Sequence, residues 1–527
     1  MERLAQLDHR HVWHPFTQMR DWLRREPIVI VEGRGAVLRD TKGREYLDGN
    51  SSIWTNLHGH NHPKLNAVLV RQLKKIAHSS ALGLANEPAS LLAAELVRAV
   101  NPLFTALKGR KGERGKGGGA AKPQVSPAPF PPLTLSKVFF SDNGSTALEV
   151  ALKLAYEFAR RTGRSQSSRF LSLEGAYHGD TVGAVSLGHI DLFHKAYAGL
   201  LFKSDKVMAP YCYRCPFNRA KPERADAREY RKCNWECVGK VEQKFTVRKR
   251  RGGKYAAFVF EPLIQGAAGM IPQPAGWLAR VAEIARGSGA LLVADEVMTG
   301  FGRTGSGAGE KGGKGDAAKE RKGAGVNLPL SPFLPFSQAP LFACHRESVQ
   351  PDFLCLAKGL TGGYLPMAAT LTTQKVFDAF LGEYEEFKTF FHGHSYTGNQ
   401  LGAAAALANL DLLQSPASIR ARAELQRVLS RELKSLWSLP NIGDIRQVGF
   451  IVGVELVRNW RTREPFPLRE RAGIRVCEAM ARRGVLTRPI GNVVVLMPPY
   501  CTTPAQARKM VAALREAVEE MLGTMRP

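Results

Sequence analysis

Four short apolar runs constrain the fold of this chain more than any other feature: Lys137 to Ser141, Phe258 to Pro262, Leu291 to Asp295 and Phe353 to Ala357. Each has strand length and ends at a polar residue or a turn, and helix-periodic stretches such as ALEVALKLAYEFARR and Trp277 to Arg286 lie between them. Strands that alternate with helices, with the candidate reactive residues at strand C-terminal ends, predict an open, mostly parallel α/β sheet. At 527 residues the chain is too long for one ordinary core, so a second domain is expected beside that sheet.

The run Phe353 to Ala357 delivers Lys358 into a turn that contains Gly359, Gly362 and Gly363. Burial disfavours the ammonium form, so such an amine can be nucleophilic near neutrality and can form a Schiff base with an aldehyde cofactor. The alternative is a lysine snorkelling from a strand end. A second buried run ending in a charge, at Asp295 within LLVADEVMTGFGRTG, favours the chemical reading. Lys137 to Ser141 leads into Asp142-Asn143-Gly144-Ser145-Thr146 and a helix start. Unpaired amides and hydroxyls converge at such a point, so it reads either as a phosphate site or as an ordinary N-cap by Ser145 or Thr146.

LLVADEVMTGFGRTG followed by LCLAKGLTGGYLP resembles the class III, fold-type I aminotransferases that use pyridoxal 5'-phosphate (PLP). WHPFTQM (Trp13 to Met19) and LTRPIGNVVVLMPPY (Leu486 to Tyr500) narrow the resemblance to the biotin-pathway branch of that family. It implies an α/β fold-type I PLP-dependent transferase, with a large domain over 58–399 and a smaller α+β domain built from 1–57 and 400–527. It implies catalytic roles for Lys358 as Schiff-base lysine and proton shuttle, Asp295 as partner of the pyridine nitrogen, and Tyr177 stacked on the ring. Gly144 and Ser145 take the cofactor phosphate; His394 and Ser395, in a turn that crosses a homodimer interface, reach the neighbouring cofactor. Phe16, Ile53, Trp54, Gly393 and Arg488 are the implied substrate contacts, Glu261 and Gln265 lie near the site, and His178 is either functional or structural.

The implied reaction converts 8-amino-7-oxononanoate to 7,8-diaminononanoate, with S-adenosylmethionine as amino donor. Phe16 stands where some members have tyrosine and Ile53 where some have tryptophan, which leaves lysine open as the donor. Two rivals are a class III aminotransferase for ω-amino acids and a basic binding protein on an inactive transaminase fold. WHPFTQM and Arg488-Pro489 with MPPY oppose the first, and the joint presence of Lys358 and Asp295 opposes the second.

The net charge of +27 is uneven: 108–122 carries +5, 219–254 carries +8 and 306–323 carries +2. All three lie within segments read as insertions, 105–133, 205–254 and 306–340, so the basicity is expected to belong to appended loops and not to a nucleic-acid site. The first is expected to be disordered from its Gly, Lys and Pro content. GEKGGKG in the third is not a phosphate loop, because Gly315 follows Lys314 and no strand precedes it. Cys212, Cys215, Cys233 and Cys237 in the second approach zinc-ribbon spacing and read either as a structural metal site or as reduced, packed thiols; no metal is assigned to the chemistry. With no signal-like N-terminus and no apolar run of membrane length, a soluble cytoplasmic enzyme is expected.

Overall fold

The computed structural model describes residues 2–101, 135–163, 169–305 and 340–523. Its centre is a seven-stranded sheet in the order Leu135–Ser141, Ala368–Thr373, Phe353–Leu356, Leu291–Asp295, Tyr255–Phe260, Arg169–Leu173, Asp205–Val207. Phe353–Leu356, Leu291–Asp295, Tyr255–Phe260, Arg169–Leu173 and Asp205–Val207 pair in parallel, and Ala368–Thr373 runs against both its neighbours. The three middle strands are buried at every residue, as expected for a parallel sheet covered on both faces.

The strand period of two sorts those residues between two cores. Ala257, Val259, Leu291, Val293, Phe353 and Cys355 pack with the helix Gly144–Arg161. Phe258, Phe260, Leu292, Ala294, Leu354 and Leu356 pack with the helices Trp277–Gly287, Glu236–Arg250 and Gln400–Gln414. Each fully buried phenylalanine here stabilises the fold by about 1.5–3 kcal/mol.

Both ends of the chain build the smaller unit. The hairpin strands Ile30–Arg34, Val37–Asp40 and Glu45–Asp48 form a sheet whose fourth strand is Val485–Leu486, with Leu47 opposite Val485 and Asp48 opposite Leu486. A second sheet contains Ile442–Val448, Ile451–Asn459, Val493–Leu496 and Pro489–Ile490, and the helices Pro416–Leu433, Ala472–Arg482 and Pro504–Leu522 share its core.

The segment 205–254 departs from its reading as an appended basic loop. Asp205–Val207 is the sheet's edge strand, and Cys237, Val241 and Phe245 are buried in the main core. Several of its polar side chains bind the smaller unit: Tyr211 Oη and Arg214 Nε donate to Glu455 at 2.6 and 2.7 Å, Arg228 Nη2 donates to the Gln447 carbonyl at 2.9 Å, and Arg224 donates to the carbonyls of Leu439 and Ile442. Its four cysteines are free, and burial pushes the Cys212 and Cys237 thiols up to about 12 and about 11. Among the described residues no group of three or more His, Cys, Asp or Glu could hold a metal, and no helix is long and apolar enough to cross a membrane. The readings made for 105–133 and 306–340 fall almost entirely outside the described residues.

Glu296 fastens Ala343 and Cys344 to the core. Its carboxylate accepts from the Ala343 and Cys344 amides at 2.6 and 2.9 Å, and burial pushes it up to about 7. A raised value means that the folded chain holds this proton more tightly than the unfolded one. Its stabilising contribution is therefore complete below about 4.5 and is lost as pH rises through about 7. Over that window Glu296 contributes a falling component to the Tm of the cofactor-free protein, and Glu296→Gln, which cannot ionise, should remove it and make the slope of Tm against pH less negative. An unchanged slope in the variant would remove Glu296 from this role.

Candidate active site

A cavity of about 1550 Å³ opens at the C-terminal ends of the central strands, where an α/β sheet places its ligands. Lys358 lines it, directly after the strand Phe353–Leu356, with a φ of 42° in the left-handed region. Burial lowers its ammonium pKa below the usual lysine value, against the opposing pull of Asp295 and Glu261, so a larger fraction of the amine is neutral and nucleophilic. Its Nζ lies 4.6 Å from the centre of the Trp54 ring.

Asp295 ends the adjacent strand, 5 % exposed, and its Oδ2 is 2.7 Å from His178 Nδ1. A carboxylate only accepts, so Nδ1 carries the proton, while His178 Nε2 is buried with no partner among the described residues. His178 thus contacts Asp295 directly and can hold it in place. Tyr177 donates its hydroxyl to Asp180 Oδ2 at 2.6 Å, and burial raises its phenol above the usual range. Glu261, at the end of Tyr255–Phe260, accepts from the Gly266 amide at 2.7 Å and is pushed by burial up to about 7.

The anion cradle forms at the N-terminus of the 18-residue helix Gly144–Arg161. Asn143 caps it and takes the Thr146 amide, while Gly144 and Ser145 line the cavity with first-turn amides that have no intrahelical acceptor. Close packing fixes the residue types: a Cβ on Gly179 would sit 1.9 Å from Ser145 Oγ, and one on Gly144 would sit 2.8 Å from Val297 Cγ1.

Of the expected substrate contacts, Phe16, Ile53, Trp54 and Arg488 line the same cavity. The Phe16 ring meets Phe193 at 5.3 Å, and its carbonyl accepts from Arg488 Nη2 at 3.5 Å. Arg488 has no acidic partner among the described residues. Ser51, Ser52, Ile53 and Trp54 have φ of 46°, 48°, 66° and 69°, a left-handed turn without a glycine that costs roughly 1–2 kcal/mol per residue.

Gly393, His394 and Ser395 do not line this cavity. His394 Nδ1 is 3.1 Å from Asp142, which does, and the Ser395 carbonyl faces His78 Nε2 at 2.8 Å, with Gly393 and Ser395 exposed. Sequence reading missed Asn50, the Ile190–Phe193 wall, Met298 and the rim residues Leu468 and Arg471. Met298 was within reach, three residues past Asp295; nothing in the pattern of the others sets them apart from core or surface.

A buried lysine of lowered pKa, a carboxylate held by a histidine, an aromatic ring and an anion cradle thus meet in one cavity. They fit the aldehyde, pyridine nitrogen, ring and phosphate of PLP, whose chemistry when bound is to withdraw electrons from the carbon that carries the amine. Fold and site define a PLP-dependent transaminase, and the chain belongs to the aminotransferase class-III family, matched over residues 19–311 and 339–518. It is similar to the adenosylmethionine-8-amino-7-oxononanoate aminotransferase of Geobacter sulfurreducens, at 42% identity over 99% of this chain and 98% of that one. The enzyme of the same name from Nitratidesulfovibrio vulgaris is 43% identical over 98% and 81%. The crystal structure of the Methanocaldococcus jannaschii enzyme of that name superposes with a TM-score of 0.79, at 35% identity over 98% of this chain and 99% of that one. A PLP-bound amine transaminase from an uncultivated Pseudomonas species gives 0.77 at 29% identity, over 97% and 98%.

Proposed function

We propose that this aminotransferase converts 8-amino-7-oxononanoate into 7,8-diaminononanoate in biotin biosynthesis, with S-adenosylmethionine as amino donor, as a homodimer. The observation that carries the reading is a guanidinium without an acidic partner, Arg488, in the same cavity as Lys358, with Ile53 and Trp54 as apolar wall. The acceptor has a terminal carboxylate, a methylene chain and a ketone near its far end. Those three features ask for a cation, a wall and a reactive amine in one cavity.

In this reading Lys358 would hold the cofactor's aldehyde, Tyr177 would pack on its ring, Gly144 and Ser145 would take its phosphate, and Asp295 would keep its ring nitrogen protonated. Lys358 Nζ accepts the proton from the donor carbon in the first half-reaction and delivers one to the ketone carbon in the second. Glu261, beside Tyr177, opposes the fall of the Lys358 pKa through its negative charge when it is ionised.

The homodimer is supported by what surrounds the Gly393–Ser395 turn. Phe391 and Tyr396 flank it in the chain and are exposed, apolar side chains that a second copy would cover. The turn lies outside its own chain's cavity, as expected of a segment that serves a neighbouring one.

The test is an assay of the purified, PLP-loaded protein with 8-amino-7-oxononanoate and either S-adenosylmethionine or lysine. Diaminononanoate formed with S-adenosylmethionine is the expected result. Product with lysine alone would change the donor, and turnover of ornithine or 4-aminobutyrate without any diaminononanoate would overturn the acceptor.

A further inference from the structure

The left-handed turn that carries Ile53 and Trp54 is anchored on a buried carboxylate, Asp48. It is 3 % exposed at the end of the strand Glu45–Asp48. Its Oδ1 accepts from the Ser52 amide at 3.0 Å and the Asn50 amide at 3.3 Å; its Oδ2 accepts from Ser52 Oγ at 2.9 Å. The same oxygen lies 2.9 Å from His60 Nε2, and His60 Nδ1 faces Asn56 Nδ2 at 3.1 Å. An amide nitrogen donates, so Nδ1 accepts and Nε2 carries the proton that binds Asp48.

The turn closes on itself through Trp54, whose amide and indole N–H donate to the carbonyl and side-chain oxygens of Asn50, each at 2.8 Å. Ser51 Oγ ties it to the Met497 carbonyl at 2.6 Å. Four consecutive non-glycine residues with positive φ persist only when their surroundings over-determine them. Here three of the turn's hydrogen bonds converge on one carboxylate. Because Asp48 also stands opposite Leu486 in the sheet, the same strand end sets the cavity wall and, two residues beyond Leu486, the start of the segment that carries Arg488.

We propose that Asp48, braced by His60, is a positioning residue: it keeps Ser51–Trp54 left-handed so that Ile53 and Trp54 form the wall against which the acceptor's methylene chain lies. This rests on the proposed acceptor, but the device itself does not. Charge is not its function; its work is to make a strained backbone the favoured one. A chain freed of that strain by glycine should therefore need Asp48 less.

Asp48→Ala is expected to raise KM for 8-amino-7-oxononanoate roughly 10–100-fold, with a smaller change in kcat and with PLP retained. Asp48→Ala combined with Ser52→Gly should recover most of that loss, since glycine enters the left-handed region without penalty and the Ser52 hydroxyl has already lost its partner. Hydrogen exchange of the Trp54, Thr55 and Asn56 amides in the cofactor-free protein gives a readout independent of turnover. Exchange should speed up in Asp48→Ala and slow again in the double variant. A KM loss that Ser52→Gly leaves untouched would overturn the proposal, as would faster exchange with no change in KM. If the unmodified enzyme fails to use the oxononanoate, the proposed function falls, and the exchange results still decide whether Asp48 holds the turn.

Discussion

Replacement of Lys358 by alanine is expected to abolish transamination and to leave no cofactor that borohydride can fix to the chain. Two losses combine. The covalent hold on the cofactor disappears, and proton transfer at Nζ, worth roughly 10²–10⁴-fold by itself, has no substitute nearby. No other amine lines the cavity among the described residues: its remaining basic groups are the His178 imidazole, whose Nδ1 faces Asp295, and the guanidiniums of Arg471 and Arg488, which stay protonated and cannot form the link. The lowered pKa of Lys358 explains why an alkylamine serves near neutrality, and burial is its first cause. A Lys358→Ala protein that still yields a borohydride-stable link would transfer the role to another residue.

The second large effect is expected at Arg488. A guanidinium can grip a carboxylate through two parallel hydrogen bonds, and Arg488 now spends its reach on a single long contact to a backbone carbonyl. Arg488→Ala should weaken kcat/KM for 8-amino-7-oxononanoate by roughly 2–5 kcal/mol, the loss typical of a charge pair deprived of one partner. The donor half-reaction, followed by single-turnover spectroscopy, should change much less. Equal losses in both half-reactions would make Arg488 a general structural element, and no loss in either would remove the acceptor assignment while leaving the transaminase chemistry in place.

What could be read from the sequence follows from which interactions write themselves into residue order. The strands ending at Asp295 and Lys358 were legible because a strand buried on both faces must be apolar throughout, so a terminal charge stands out. The helix start after Ser141 was legible for a similar reason, although the sequence put the cap at Ser145 or Thr146 and the structure puts it at Asn143, whose side chain takes the Thr146 amide. The segment 205–254 was misjudged because a charge count cannot see where charges go: Arg214, Arg224 and Arg228 are tied to the smaller unit, and Phe245 lies in the core. His178 was left open because its partner is 117 positions away. The left-handed turn at Ser51–Trp54 could not be anticipated at all, since residues that ordinarily avoid positive φ occupy it and the carboxylate that enforces it is three residues upstream.

The pairing of Leu47 with Val485 has a consequence for the life of the chain before it is an enzyme. On the ribosome this hairpin emerges before its partner strand, and its sheet remains one strand short until about 440 further residues have followed. At ordinary elongation speeds that interval is on the order of 20–90 s, during which an open β edge is available to wrong partners. The loop that must close is long, although closure entropy grows only slowly with length, so the delay is set by synthesis more than by search. Nascent chains stalled before residue 485 should therefore recruit holdase chaperones at the hairpin, and emergence of Val485 and Leu486 should dismiss them.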